Sequence, residues 1–224
     1  MKFSTAGVDR YHPTRRTGTR VSFYQERILP YLVDVSMRQE TFAAYRRRVI
    51  PAAHGRVLEI GIGSGLNLPF YGEQANQVIG LDPSAKLLSM ARKAVNGMRG
   101  SPELLEGSAE AIPLEDESID TVVTTWTLCS IPDVTRALGE ARRVLKPHGA
   151  LLFVEHGRSS DPGVQRWQDR LTPLWKCIGG GCHLNRAIGQ LIEESGFRIQ
   201  TLNTDYMKGP KPMTFMYEGS ARPR

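Results

Sequence analysis

The 224-residue sequence predicts an α/β domain built on a doubly wound, largely parallel sheet. Short apolar strands alternate with helical segments through the middle of the chain, a pattern typical of parallel strands with helices on both faces. A cluster of glycines directly follows the first of these strands, at the edge where such sheets bind their ligands. The chain ends on two predicted strands joined by a short turn, which can pair only antiparallel because no crossover fits between them.

Five strands and two helices are predicted in the central region. The strands cover residues 56–60, 77–82, 103–106, 119–126 and 150–155. The fourth is β-branched and almost continuously apolar, as expected of a strand buried on both faces. One helix is predicted after Ser84 and another from residue 134 to 145, capped by Asp133 and ended by the sequence Pro-His-Gly at 147–149.

The two ends of the chain have different patterns. Residues 1–20 are interpreted as a basic flexible arm, and residues 22–49 have the apolar spacing of one or two amphipathic helices. Pro30 lies inside this stretch and marks a kink or a new first turn. The last part is predicted as a helix at 184–195 and strands at 197–204 and 212–219, joined by a turn at 208–210.

Composition and charge limit the classes of protein to which the chain can belong. Hydrophobic residues make up 40% and charged residues 23%, which is ordinary globular composition. No apolar run reaches the roughly 18 residues of a spanning helix, and the basic start lacks the apolar stretch of a secretory signal. The three cysteines are interpreted as reduced thiols of a cytoplasmic protein.

The net charge of +6 is concentrated in the first 56 residues, where 11 Lys and Arg stand against 4 Asp and Glu. Such a basic region attracts phospholipid headgroups or nucleic acid. Aromatic residues are not interleaved with this charge, so no nucleic-acid partner is expected. Peripheral contact with an anionic membrane surface stays open, as does the oligomeric state.

The central motif is the segment 57–65, in which an apolar strand leads into Gly61, Gly63 and Gly65. Glycine permits positive φ and lets the backbone approach a ligand closely. A helix predicted at about 66–70 would aim its amides at that ligand. Dinucleotide-binding folds place their third glycine three positions after the second, whereas here position 66 is Leu66.

Asp82 closes the second predicted strand, 23 residues after Glu59. At this position a carboxylate can accept hydrogen bonds from both hydroxyls of a ribose. It would also repel the extra phosphate of an NADP-type cofactor. The glycines and Asp82 together therefore predict a nucleoside cofactor.

These residues together resemble the class I methyltransferases, the family that uses S-adenosylmethionine, over about residues 56–155. The resemblance implies a seven-stranded Rossmann-like methyltransferase sheet, doubly wound, with a C-terminal antiparallel hairpin. It implies that Glu59 helps to hold the methionine part of the cofactor and that the three glycines pass beneath it. Asp82, followed by Pro83, is expected to bind the ribose.

Two further segments match elements of the same family. Residues 107–113 match the element that borders the adenine, with Ser108, Ala109 and Glu110 as the expected contacts. The turn at 126–131 matches the junction of cofactor and acceptor, so Thr125, Trp126 and Thr127 are expected to contact the cofactor. The domain is then divided into a helical cover at 21–50, a cofactor-binding core at 56–155, an acceptor-side insert at 156–183, and a terminal helix and hairpin at 184–224.

A narrower resemblance concerns the acceptor. Residues 174–186, together with 154–157, are similar to the thiol methyltransferase group of the methyltransferase-like proteins, whose bacterial relatives are often labelled phosphatidylethanolamine methyltransferases or ubiquinone/menaquinone-type enzymes. This implies in-line methyl transfer to a small hydrophobic or amphipathic acceptor, an alkyl thiol or a lipid amine. The helices at 22–49 and the segment 158–181 are expected to cover the strand ends and form the acceptor pocket.

The sulfonium of the cofactor is already a good leaving group, so alignment and exclusion of water are the main tasks of the enzyme. His156, just after the fifth strand, is the candidate for removing a proton from the acceptor, and His183 is the second candidate. Cys129 is interpreted as a small buried residue that lines the site. Cys177, Cys182 and His183 lack the spacing of a usual zinc site, so no metal is predicted.

Two other functions compete with this interpretation. An NAD-linked oxidoreductase can use the same type of sheet, but the alternating glycines and the antiparallel ending count against it. A protein that binds or modifies nucleic acid is suggested by the basic first part. The enzymes that methylate amino groups of nucleic acids have an N/D-P-P-Y/F tetrad after the fourth strand, where this chain reads Trp-Thr-Leu-Cys at 126–129.

Overall fold

Seven strands form one mixed sheet in a computed structural model that describes residues 23–95 and 102–224. The order across the sheet is β3-β2-β1-β4-β5-β7-β6; the first five strands are parallel, and β7 lies antiparallel between β5 and β6. This confirms the doubly wound sheet with an antiparallel ending. The strands are β1 (Gly55–Ile60), β2 (Ala75–Asp82), β3 (Glu103–Glu106), β4 (Ile119–Thr125), β5 (Leu145–His156), β6 (Phe197–Tyr206) and β7 (Phe215–Pro223).

The sheet is buried on both faces because its strands carry apolar side chains at successive positions. In β1, Leu58 and Ile60 enter one hydrophobic core and Val57 enters the other, on the opposite face of the sheet. Successive side chains of a strand point to opposite faces, so a continuous apolar run supplies both cores. Burial of each such side chain stabilises the fold by about 2 kcal/mol.

Helices cover both faces of the sheet. They are α1 (Leu29–Met37), α2 (Glu40–Val49), α3 (Ala85–Ala94), α4 (Val134–Val144), α5 (Pro162–Ile178) and α6 (Ile188–Glu194). Side-chain oxygens cap three of them: Ser84 accepts from the Leu87 N–H, Asp133 from that of Arg136, and Asp161 from that of Gly163. No helix within the described ranges is both long and apolar enough to span a membrane.

The region before β1 contains two helices, in agreement with its apolar spacing. Pro30 lies in the first turn of α1, after a short π-helical turn at Tyr24–Ile28, so it marks a new first turn. The basic arm predicted at 1–20 lies outside the described residues.

The prediction of a helix at 66–70, directly after the glycine motif, was wrong. Only a three-residue 3-10 turn, Leu68–Phe70, forms there, and Tyr71 is already extended. Pro69, two aromatic residues and Gly72 favour a helix poorly. The Tyr71 hydroxyl also donates to the buried Glu59 carboxylate, which draws the chain away from a helical path. The glycine loop is therefore supported by side-chain hydrogen bonds and not by a long helix.

Other boundaries differ near prolines and at the ends of elements. The last strand begins at Phe215, later than predicted, because Lys211–Thr214 forms a helical turn. Pro212 lacks the N–H that a strand ladder needs, and its fixed φ suits the first turn of a helix. The helix predicted at 184–195 is limited to α6, and β5 begins at Leu145, where α4 was predicted to continue.

Candidate active site

The carboxyl ends of β1, β2, β4 and β5 open into one cavity of about 600 Å³. This is the edge of a doubly wound sheet at which ligands bind, and the volume is typical of a cofactor or small-molecule site. Residues of α1 and α2, and of the end of α5 with the loop that follows it, also line the cavity.

The glycine loop forms the floor of the cavity beside β1. Gly61, Gly63 and Gly65 have φ values of 74°, 58° and 83°, a region that other residues rarely adopt. A Cβ on Gly61 would overlap the side chain of Thr127, whereas a Cβ on Gly63 would have no atom closer than 4.0 Å. The open side of Gly63 therefore leaves room for a ligand to lie against the backbone. Gly65 packs against Leu68 and Ala91 and does not line the cavity.

Asp82 connects the loop to the end of β2. Its Oδ2 accepts from the Gly63 N–H at 3.0 Å, and its Oδ1 accepts from the Ser84 N–H at 2.8 Å. Burial raises the pKa of Asp82, and these two hydrogen bonds offset part of that effect. Each carboxylate oxygen has a second lone pair, so the side chain can also accept from the hydroxyls of a ribose. Pro83 lines the cavity next to it.

Glu59 is fully buried at the end of β1, where both carboxylate oxygens are hydrogen-bonded. Asn67 Nδ2 donates to Oε1 at 2.9 Å, and the Tyr71 hydroxyl donates to Oε2 at 2.7 Å. Burial raises the pKa of Glu59 to about 7, although these two hydrogen bonds lower it. Arg46 of α2 continues the network by donating from Nε to Asn67 Oδ1 at 2.8 Å. Glu59 thus lines the cavity and also fixes the glycine loop and α2 to the sheet.

Arg46, Asn67 and Tyr71 were not identified from the sequence as site residues. Asn67 and Tyr71 follow the glycine motif closely, which was a possible signal. Arg46 is distant in sequence, and only the packing of α2 brings its guanidinium to 5.1 Å from the centroid of the Trp126 ring.

The wall on the β3 and β4 side contains most of the residues that the resemblance implied. Ser108 and Ala109 line the cavity, as do the three consecutive residues Thr125–Trp126–Thr127. Glu110 does not line it, because its carboxylate accepts from the Asp133 N–H at 2.7 Å and ties this loop to the start of α4. The indole N–H of Trp126 is buried and has no hydrogen-bond partner within the described ranges, so the ring contributes apolar surface to the wall and its N–H is shielded from the cavity.

A second group of polar side chains lies at the ends of β4 and β5. Cys129, His156 and Cys182 all line the cavity, and their potential ligand atoms lie within 4.8 Å of one another. His156 Nε2 is 2.9 Å from Cys182 Sγ. Hydrogen bonds with Cys129 and His156 lower the pKa of Cys182. Burial lowers the pKa of His156, but the hydrogen bond and charge interaction with Cys182, together with the charge of Glu155, raise it by more in total.

His183, the second candidate for proton removal, is turned away from the cavity. Its backbone N–H donates to the Cys129 carbonyl at 2.8 Å, and its Nδ1 lies 3.0 Å from the same oxygen. His183 therefore anchors the loop after α5 to the turn after β4. Cys177, grouped with it in the sequence, is exposed on α5.

Comparison with known proteins agrees with this geometry. The sequence profile of the methyltransferase domain matches residues 58–153. The thiol S-methyltransferase TMT1B of Rattus norvegicus is 34% identical over 167 residues, 72% of this chain and 68% of that protein. The phosphatidylethanolamine N-methyltransferase of Cereibacter sphaeroides is 37% identical over 116 residues, 50% of this chain and 57% of that protein.

Solved structures share the fold. A methyltransferase of Thermotoga maritima that uses S-adenosylmethionine aligns with a TM-score of 0.64 and 24% identity, covering 89% of this chain and 99% of that one. Another, from Mesorhizobium loti, has a TM-score of 0.63 and 21% identity, covering 83% of this chain and 98% of that one.

The residues present fit the cofactor of these proteins. Gly63 leaves open space along the backbone, and Asp82 has acceptor capacity at the end of β2. The NAD-linked alternative is set aside by the matched domain and by the relatives. This chain belongs to the S-adenosylmethionine-dependent methyltransferases.

Proposed function

We propose that this enzyme transfers the methyl group to the sulfur of a small hydrophobic thiol. One observation carries the proposal: the cavity next to the cofactor loop is mostly apolar where β4 and β5 end, and Cys129, His156 and Cys182 lie together there. The hydroxyls of Thr127 and Ser130 also line this part, but both donate to backbone carbonyls. We call this part of the cavity, with Trp175, Leu184 and Met213, the acceptor chamber.

The order of strands sets the direction of transfer. If Asp82 binds the ribose, the cofactor starts at the end of β2, and three strand spacings separate this point from the end of β5. At about 4.8 Å per spacing this is about 14 Å, room for the reactive sulfonium to lie over β1 and β4 with the acceptor beyond it. S-adenosylmethionine supplies an electrophilic methyl group on that sulfonium.

The enzyme's own residues align the acceptor and keep water out. Trp175 and Met213 supply apolar surface for an alkyl chain, and Trp126 lies where the cofactor and acceptor regions meet. A sulfur nucleophile needs only to lose its proton and to point at the methyl carbon. His156 keeps its predicted role at this place because it lines the cavity, whereas His183 does not.

The acceptor chamber fits an alkyl thiol better than a lipid amine. An amine arrives as an ammonium ion, which needs a carboxylate or another strong acceptor when it leaves water. The carboxylates that line the cavity in the described ranges are Asp34, Glu59 and Asp82, on α1, β1 and β2. Asp34 is already paired with Arg38 and Ser64. The acceptor chamber therefore offers an ammonium ion little compensation for lost hydration.

The names of two relatives make a lipid amine the second candidate for the methyl acceptor. One relative at 34% identity is named a thiol S-methyltransferase, and another at 37% identity over half of this chain is named a phosphatidylethanolamine N-methyltransferase. Each name describes the relative and does not identify the acceptor of this chain, so the two acceptors must be compared directly.

A labelled methyl-transfer assay with alkyl thiols, phosphatidylethanolamine vesicles, quinol precursors and RNA tests the proposal. We expect label in a thioether, identified by mass, with rates that rise with alkyl chain length up to the size of the chamber. Formation of methylated phosphatidylethanolamine without any thioether would reject the thiol as the acceptor. The Asp82→Ala variant is the control, because weaker cofactor binding should lower transfer to every acceptor by the same factor when the cofactor is not saturating.

A further inference from the structure

Three potential metal ligands meet at the inner end of the acceptor chamber. They are Cys129 in the turn after β4, His156 at the end of β5 and Cys182 in the loop after α5. A tetrahedral zinc ion bound by sulfur at about 2.3 Å and nitrogen at about 2.0 Å places its ligand atoms about 3.5–3.8 Å apart. In the structure His156 Nε2 and Cys182 Sγ are 2.9 Å apart, and all three ligand atoms lie within 4.8 Å of one another, so no pair is more than about 1 Å from the spacing that zinc requires. Shifts of less than about 1 Å would complete the geometry.

The backbone holds each ligand in place. The Cys129 carbonyl accepts from the His183 N–H, which fixes the turn after β4 against the loop after α5. His156 is the last residue of β5 and pairs with Met216 of β7. Gly180 and Gly181, with φ values of 65° and 86°, turn the loop so that Cys182 faces the other two. Ligands carried by strand ends and a pinned loop form a site with little rearrangement.

We propose that Cys129, His156 and Cys182 form a mononuclear zinc site whose fourth position opens into the acceptor chamber. Two thiolates and an imidazole are a ligand set that zinc accepts and that magnesium and calcium do not. Three protein ligands with one open position are typical of catalytic zinc, whereas structural sites use four. Two thiolates neutralise the ion, so the centre carries no net charge beside the nearby Arg186 guanidinium.

The sequence predicted no metal because Cys177, Cys182 and His183 do not have suitable spacing. The fold brings together a different set, which keeps only Cys182 of those three. Ligands from three distant segments have no local spacing motif, so sequence alone could not pair them.

The open position gives the zinc a role in the proposed function, on which this step rests. The acceptor thiol displaces a water molecule from zinc and releases its proton to bulk water, since a coordinated thiol is deprotonated. The bound thiolate then attacks the methyl carbon: a new sulfur–carbon bond forms, the sulfonium–methyl bond breaks, and the cofactor leaves as neutral S-adenosylhomocysteine. The thioether product has no charge, binds zinc weakly and leaves. With zinc bound, the coordinated thiol loses its proton to solvent and His156 acts as a ligand; in the zinc-free protein His156 remains the candidate for removing that proton.

Metal content tests the site without any methyl acceptor. The full chain is dialysed with reductant against micromolar zinc, separated from free metal, and analysed by mass spectrometry of the elements. We expect about one zinc per chain in the wild type and in Cys177→Ser, whose thiol lies on the exposed face of α5, and at least tenfold less in Cys129→Ser, Cys182→Ser and His156→Ala. A wild type without bound zinc, or a Cys182→Ser variant with the wild-type content, overturns the proposal.

Cobalt substitution tests the site in the wild-type protein, so the test does not depend on whether the variants fold. Wild-type protein with Co²⁺ should show a thiolate-to-cobalt charge-transfer band and tetrahedral visible bands, and both should disappear when zinc is added. Binding of S-adenosylhomocysteine, measured by calorimetry, shows which variants are folded. Absence of the charge-transfer band in the folded wild type overturns the site.

Failure of the metal site and failure of the proposed function give different results. If the protein binds one zinc per chain but methylates no thiol, the proposed zinc site is supported and the proposed thiol acceptor is rejected. If zinc-free protein, prepared with a chelator, methylates thiols at an unchanged rate, the proposed role of zinc is rejected and the proposed thiol acceptor is supported. Loss of activity on chelation, restored by zinc, is the result expected if both proposals hold.

Discussion

The two ends of the cavity are built in different ways. The cofactor end comprises the glycine loop, Asp82 and the loop after β3, and its floor is held by backbone amides that bind Asp82. The acceptor chamber is assembled from the ends of β4 and β5, the loop after α5 and the segment before β7. Its surface is mostly apolar, with one cysteine and histidine cluster and the hydroxyls of Thr127 and Ser130.

This difference follows from what each end must recognise. The cofactor end binds one fixed molecule, so a short segment with a required backbone conformation is sufficient. The acceptor chamber is made from connecting loops, which vary more readily than strands and carry specificity. Mutations should therefore separate the two ends: one set should affect cofactor binding, and the other should affect acceptor use alone.

The largest effect is expected from Gly61→Ala at the cofactor end. Its φ of 74° disfavours any side chain, and the added Cβ would overlap Thr127. We expect the free energy of unfolding to fall by about 2–4 kcal/mol, measured by urea denaturation. Gly139→Ala is the matched control, because Gly139 lies inside α4 with no atom within 4 Å of the added Cβ. That change should stabilise the protein by up to about 1 kcal/mol. Equal effects of the two changes would contradict the role assigned to the loop.

Asp82→Ala should weaken cofactor binding about 100-fold. Two hydrogen bonds to a carboxylate, each of at least about 1.5 kcal/mol, would be lost with the ribose contact. Calorimetry with S-adenosylhomocysteine measures the change in Kd. Asp116→Ala, at an exposed carboxylate paired with Arg143, should leave the Kd unchanged. An Asp82→Ala variant within threefold of the wild type would show that the ribose is held elsewhere.

Trp175→Ala tests the acceptor chamber, with an expected loss of about tenfold in kcat/KM for an alkyl thiol. The reason is lost apolar contact of about 1.4 kcal/mol, which should raise KM more than it lowers kcat. Affinity for S-adenosylhomocysteine should stay within twofold of the wild type. Trp167→Ala, on the same helix but 56% exposed and not part of the cavity wall, is the control. Weaker cofactor binding by Trp175→Ala would mean that the two ends are not separable.

The smallest effect concerns the pH dependence of stability. Burial raises the pKa of Glu59 from 4.5 to about 7, so the folded protein favours its protonated form. The corresponding stabilisation is complete below about pH 4.5 and is lost as the pH rises through about 7. Glu59→Gln, which resembles the neutral acid, should reduce this decline in unfolding curves measured across the range. The part that remains is expected from Glu155, because burial raises its pKa to about 7 as well. A wild type and variant with parallel curves would place the Glu59 pKa near its ordinary value.

Much of the fold could be predicted because its signals are local. Apolar runs indicated β1, β2 and β4, and the short connection near the end of the chain required β6 and β7 to pair antiparallel. Errors occurred where a tertiary contact or a proline decided the local structure. The hydrogen bond from Tyr71 to Glu59 competes with a helix after the glycine loop, and Pro212 begins a helical turn where a strand was expected.

The predicted site residues were only partly brought together. Gly61, Gly63, Asp82 and Trp126 line the cavity with most of the other predicted contacts, whereas Gly65, Glu110 and His183 pack or hydrogen-bond elsewhere. A motif indicates the segment that forms a site, but the direction of each side chain depends on neighbours that the motif does not include.

The sequence by itself determined the sheet type and the cofactor end, because both depend on residues close together in the chain: an apolar run, glycines that permit positive φ, and a carboxylate at the end of the next strand. Only the tertiary structure decided the acceptor chamber. Cys129, His156 and Cys182 meet because β4 and β5 are neighbours in the sheet and the loop after α5 folds back over their ends. Contacts of this kind depend on strand order and loop closure, which no local pattern of residues records.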